Sequence, residues 1–171
     1  WFSIFLIFNF RYENPDDIFI SRFIANDGIN PFSYQWVSYV YKYFIDLLQI
    51  PIWSLFSLIL IFVSSTLILN DVLKSEQKTL KIINSSILFL VLIDLLFQCQ
   101  FTKTATFVAI TGACNLIYQN TKSRKILGII LLFIGVSIRP TVLYLIAPIC
   151  GITIFIHYLK EVKKASNNTE M

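Results

Sequence analysis

Asp16 and Asp17 stand side by side in Arg11-Tyr12-Glu13-Asn14-Pro15-Asp16-Asp17, directly after the apolar run of residues 1–10. Adjacent carboxylates repel, and a cation, a metal ion or a substrate proton relieves that repulsion. Such a pair could act as general base toward an acceptor hydroxyl or hold a divalent metal. It could equally end an apolar span and solvate a loop. Asp94 is a third acid, set amid Leu92, Ile93, Leu95 and Leu96. An acid in such surroundings is expensive and marks a pathway, a site or a partner. Its plain structural partners are Lys103 and the threonine hydroxyls beside it. Arg139 breaks the last long apolar stretch, and an arginine below a membrane surface is tolerated beside water or an anion. Arginine offers a planar fork to phosphate oxygens and lysine a point charge. Together these five residues suit an anionic, lipid-linked substrate.

Elements that could position them follow from composition. The chain has 171 residues, 56% hydrophobic and 14% charged, with mean hydropathy +0.70. Soluble domains carry about 25% charged residues, so the composition predicts an all-α, polytopic integral membrane bundle. Residues 1–10 read as the outer end of a first span that begins upstream, in a fragment of a longer protein. Residues 11–51 read as an extracytoplasmic loop. Within it Val37, Val40, Tyr41, Phe44, Leu47 and Leu48 recur at helical spacing, with Ser38, Lys42, Asp46 and Gln49 opposite. Flanked by Trp36, Tyr39 and Tyr43, they predict a helix lying in the membrane interface. A helix buried against the spans would show the same period.

Five further spans are expected at 52–69, 82–97, 104–118, 126–138 and 141–159, making about six in all, followed by a cytoplasmic tail from 160. Basic residues cluster in 71–81, 120–125 and that tail. The positive-inside rule puts those segments in the cytoplasm and requires a helical hairpin that turns at Arg139-Pro140. Asp16, Asp17, Asp94, Lys103 and Arg139 then share the outer side. A span of 126–138 would be about 20 Å long, which leaves Arg139 below the headgroups of a core about 30 Å thick. The net charge of +4 thus marks membrane sidedness rather than a nucleic-acid partner. Cys99, Cys114 and Cys150 are isolated and His157 is the only histidine, so a zinc site lacks ligands. The cysteines read as small packing residues.

The order of the Asp pair, Ile50-Pro51-Ile52-Trp53, Gln100-Phe101-Thr102-Lys103-Thr104-Ala105 and Gly135-Val136-Ser137-Ile138-Arg139-Pro140 resembles a group of bacterial polytopic membrane proteins. Its layout is similar to the GT-C glycosyltransferase superfamily. That resemblance implies an acidic motif and an interfacial helix in the first outer loop, and a polyprenyl-phosphate sugar donor. On it Asp16 and Asp17 match the acidic motif, as catalytic residues or ligands of a divalent metal ion. Lys103 and Arg139 match recurring positions, and with Asp94 they are the candidate substrate-binding set. The chain is shorter than such enzymes, and Pro15 precedes the Asp pair where another neighbour is common. Besides membrane lipids, the implied partner is the lipid-linked donor. A transporter or lipid flippase, with Asp94 and Arg139 as gating groups, is the alternative from another class, although no internal repeat supports it. A non-catalytic envelope assembly subunit is the third.

Overall fold

The computed structural model describes residues 11–12, 24, 26, 28, 33–48, 53–153 and 155. Within them the chain is helical apart from one two-residue strand pair. Helix α1 is Gln35–Leu48, α2 Trp53–Leu73, α3 Lys78–Phe97, α4 Phe101–Tyr118 and α5 Lys122–Ile138, and α6 is Val142–Thr153. Strand β1 (Arg11–Tyr12) pairs in parallel with β2 (Gln98–Cys99), Arg11 opposite Gln98 and Tyr12 opposite Cys99. Helices α2 and α3 are long and apolar enough to cross a membrane, and among the described residues no other helix passes that test.

Several boundaries differ from the sequence expectation, always because a helix runs into a polar segment. Helix α2 extends to Leu73 and α3 starts at Lys78, so the loop expected at 71–81 shrinks to four residues. Helix α4 starts at Phe101, which moves Lys103 from a link onto a helix. Helix α5 starts at Lys122 rather than 126 and has 17 residues, which gives about 26 Å at 1.5 Å per residue. The shortness that sank Arg139 below the headgroups is thereby largely removed. A backbone hydrogen bond costs little to continue once a turn exists, and Lys, Arg and Glu propagate helix well. Polarity alone therefore does not end a helix.

The core is mostly apolar, with Leu60, Val108, Leu131 and Ile146 enclosed, but small polar residues are buried within it and large apolar ones lie outside. Ser57, Ser64 and Ser65 of α2, Thr104, Thr111 and Asn115 of α4 and Ser137 of α5 are buried. Outside lie Leu55, Ile59 and Phe62 on α2, Ile83, Ile87 and Leu90 on α3, and Ile129, Ile130 and Phe133 on α5. Each large apolar side chain left in water forgoes about 1.5–3 kcal/mol, and soluble monomers avoid broad apolar patches. Small polar residues between helices with apolar ones outside is how helices pack in an apolar medium.

The tightest contact in the bundle is α4 against α5. Ala105, Ala109 and Gly112 on one helix meet Gly128, Leu131 and Gly135 on the other, at spacings of four, three and seven that keep one face. A Cβ at Gly112 would lie 2.5 Å from the Leu132 backbone nitrogen and 2.7 Å from the Gly128 carbonyl oxygen. At Gly135 it would lie 2.7 Å from both the Ala105 carbonyl oxygen and Ala109 Cβ. At the end of the bundle holding the α2–α3 and α4–α5 connections, Arg124 joins three helices. It lies 3.7 Å from Asp71 of α2 and donates to Asn115 Oδ1 of α4 at 3.4 Å. Asn115 in turn donates to the Thr111 carbonyl at 2.9 Å. Lysine and arginine in the first turn of α5 oppose its dipole, and the Asp71 carboxylate offsets that for Arg124.

Helix α1 crosses the opposite end, where the Tyr34 amide donates to the Ser137 carbonyl at 3.0 Å. It buries Val37, Ser38 and Tyr41 and exposes Val40, Phe44, Leu47 and Leu48. The helix is as the periodicity predicts, but Ser38 belongs to the buried side, not the polar one. Its neighbour Val37 is equally enclosed, so the inward face is centred about one position away from the apolar maximum. Cys114 is exposed, whereas Cys150 is half-buried and packs against the core as the sequence reading expects.

Candidate functional site

The end of the bundle near α1 is built from the first residues of α2, α4 and α6, the last of α3 and α5, and the strand pair. Aromatic rings knit it together. Tyr41 of α1 lies 4.3 Å from the Trp53 ring and 5.3 Å from Phe56 edge-on. Trp53 lies 6.4 Å from Phe101 at the start of α4. Such ring pairs contribute about 0.5–1.5 kcal/mol each beyond burial, and here they fix α1 and α2 against the first turn of α4.

Arg139 is the C-cap of α5, its amide donating to the Gly135 carbonyl at 3.1 Å. Pro140 follows and cannot continue the helix. The Arg139 guanidinium carbon stands 5.2 Å from the centroid of the Phe101 ring, a cation–π arrangement. Lys103 makes a different contact. Its Nζ lies 3.2 Å from both carboxylate oxygens of Asp94, which ties α3 to α4 across their short link. The lysine side chain is 27% exposed and the carboxylate 58%. In water such a pair contributes about 0–1 kcal/mol.

Asp94 and Lys103 are thus brought together, and Arg139 meets Phe101. Phe101 and Lys103 are two residues apart on one helix, so their side chains leave it about 200° apart. Arg139 thus meets α4 at Phe101, while Lys103 leaves the helix from another side. The structural partner expected for Asp94 is the one observed. Asp16 and Asp17 lie outside the described residues; the strand pair holds Arg11 and Tyr12, just before them in sequence, against Gln98 and Cys99. Among the described residues no group of three His, Cys, Asp or Glu side chains could hold a metal ion.

Comparison of the chain with protein-family models, curated proteins and solved structures gives no match. Its chemistry has to be read from its own residues. Two of these, Phe101 and Thr104, escaped the sequence reading because both look like ordinary apolar-helix residues. The signal lay in Phe101-Thr102-Lys103-Thr104, where i and i+3 share one face while Lys103 takes another.

The Asp94–Lys103 pair is testable by a double-mutant cycle. Asp94→Asn and Lys103→Gln should each lower the melting temperature of the protein in detergent micelles. The double variant should be no worse than the poorer single one, because removing one partner leaves the other charge uncompensated. Strict additivity of the two shifts would show that the charges do not interact.

Proposed function

We propose that the chain is a multi-pass membrane protein that transfers a sugar from a polyprenyl-phosphate donor, with Asp16 or Asp17 acting on the acceptor and Arg139 holding the donor phosphate. The observation that carries this reading is the parallel pairing of Arg11–Tyr12 with Gln98–Cys99. It supports bringing the chain that leads into the acid-rich stretch to the end of the bundle where Arg139 stands over Phe101. Lys103 is better read as the structural partner of Asp94, since its ammonium already faces both carboxylate oxygens.

Membrane insertion is supported by the apolar exterior and by the separation of charges. Lys74, Lys78, Lys122, Arg124 and Lys125 lie around one set of helix ends, and Asp94, Lys103 and Arg139 around the other. In a membrane the first set faces the cytoplasm. Single cysteines placed at Asn26 and Lys78, in a background lacking the three native ones, test this. An impermeant maleimide added to intact cells should label the cysteine at 26 and spare that at 78. The reverse pattern would invert the topology and remove the outer-face site.

The catalytic reading is tested by incubating vesicles bearing the full chain with radiolabelled polyprenyl-phosphate sugars and endogenous acceptor. Transfer above that of vesicles lacking the protein is expected. Failure with the common hexose and pentose donors alike, in vesicles whose labelling proves correct insertion, would end the glycosyltransferase proposal.

A further inference from the structure

Six cations gather at the end of the bundle that holds the α2–α3 and α4–α5 connections: Lys74, Lys78, Lys81, Lys122, Arg124 and Lys125. The acids there, among the described residues, are Asp71 and Glu76. One oxygen of Asp71 draws the two connections together, with Lys74 Nζ at 3.9 Å and Arg124 Nη2 at 3.7 Å. A single carboxylate shared by two cations leaves positive charge over. Lys78, Lys122 and Lys125 are exposed and Lys81 is half-buried, and among the described residues none of the four makes an ion pair.

These four lysines stand where the helices they open disfavour them. Lys78 and Lys81 lie in the first turn of α3, Lys122 and Lys125 in that of α5, and neither turn holds an acid. The positive end of a helix dipole favours a carboxylate there and opposes a lysine. Of the α5 cations Asp71 answers Arg124 alone. An anion from outside the protein relieves both the opposition to the dipoles and the repulsion among the lysines.

Apolar side chains flank the same cations. Leu73 is exposed beside Lys74, Leu80 and Ile82 on either side of Lys81, and Ile126 next to Lys125. Helical side chains lean toward the N-terminus of their helix, so the lysines that open α3 and α5 reach past the helix ends while their stems cover apolar surface. Tyr118, exposed at the end of α4, adds a ring of the kind that sits at headgroup level. A nucleic acid or an acidic protein would match the charges and leave the leucines and isoleucines in water. A phospholipid matches both.

We propose that this end of the bundle binds anionic phospholipids, their phosphates on Lys78, Lys81, Lys122 and Lys125 and their acyl chains against the exposed leucines and isoleucines. The proposal rests on membrane insertion and is independent of sugar transfer. Maleimide labelling reports insertion separately, so the two can fail apart.

The test is native mass spectrometry of the full chain released from nanodiscs of equal phosphatidylcholine and phosphatidylglycerol with the same acyl chains. Wild type should keep phosphatidylglycerol in preference, and salt added before release should weaken that preference. Lys122→Gln with Lys125→Gln, and Lys78→Gln with Lys81→Gln, should each reduce it, by about fivefold for every cation lost. Lys42→Gln makes the same change on α1 at the opposite end and should leave it intact. Melting temperatures guard against variants that merely misfold. In neutral detergent the Lys122→Gln, Lys125→Gln protein should melt no lower than wild type, because it loses only charges that oppose a dipole. Added phosphatidylglycerol should raise the wild-type value and move that of the variant less. Equal retention of the two lipids by wild type overturns the proposal, whatever soluble polyanion the protein captures. So does a preference that survives in both double variants. A preference that Lys42→Gln lowers as much as they do also overturns it, since net charge rather than position would then decide.

Discussion

Gly112→Ala is expected to destabilise the protein by about 1–3 kcal/mol, the usual cost of overpacking, whereas Gly151→Ala should stabilise it by up to about 1 kcal/mol. The chemical change is identical, one methyl group on a helical glycine. In isolation it favours the helix, because alanine surrenders less backbone freedom than glycine. At Gly151 nothing among the described residues lies within 4 Å of the added carbon, so only propensity counts. At Gly112 the carbon would sit 2.5 Å from the backbone nitrogen of Leu132 and 2.7 Å from a carbonyl oxygen. Backbone atoms cannot swing aside as a flexible side chain does, so α4 and α5 must separate along their whole contact. Gly135→Ala should resemble Gly112→Ala. Thermal unfolding in one detergent, followed by circular dichroism, gives all three shifts. Equal melting temperatures for Gly112→Ala and Gly151→Ala would show that α4 and α5 do not approach so closely.

That packing illustrates what a sequence of this kind withholds. The helical character of 35–48 is legible from its three- and four-residue spacing, and the break after Ile138 from Pro140. The facing of α1 is legible only in part, because one apolar stripe serves an interfacial helix and a buried one alike. Val37 and Tyr41 turn inward and Val40, Phe44 and Leu47 outward, while Ser38, counted with the polar side, is buried. The Asp94–Lys103 contact is legible as one option, since a short link folds the two helices back on each other. The Asp71–Arg124–Asn115 contact is not, as it depends on how three helices converge. Arg139 over Phe101 is hidden for the same reason: which side of α4 faces α5 is decided by glycines and alanines, whose signal is small size rather than polarity.

Asp16→Asn with Asp17→Asn should reduce sugar transfer by about 10²–10⁴-fold if either carboxylate is the general base, while membrane-inserted protein stays at the wild-type level. Asparagine keeps the size and hydrogen-bonding reach of aspartate and removes its basicity. The single variants assign the role: the base shows nearly the full loss alone, and its neighbour a smaller one. A metal-bound carboxylate gives a different signature, with partial recovery as divalent ion is raised to millimolar levels. Transfer rates are read in the vesicle assay and protein level by quantitative immunoblot. Full activity in the double variant would reduce the acid pair to a solvated loop.

The strand pair bears on the order in which the molecule assembles. Joining Tyr12 to Cys99 closes a loop containing α1, α2 and α3, at an entropic cost of about 4 kcal/mol by the logarithmic scaling of loop closure. The α4–α5 hairpin closes across three residues and forms as soon as both helices exist. Two paired residues cannot hold so large a loop by themselves, so their pairing must await the packing of the helices. The strand pair is therefore expected to form late, and two paired residues make a weak clasp. Weak clasps open locally without unfolding what lies beneath them. The strand pair is thus where local opening is expected to begin before the helices part.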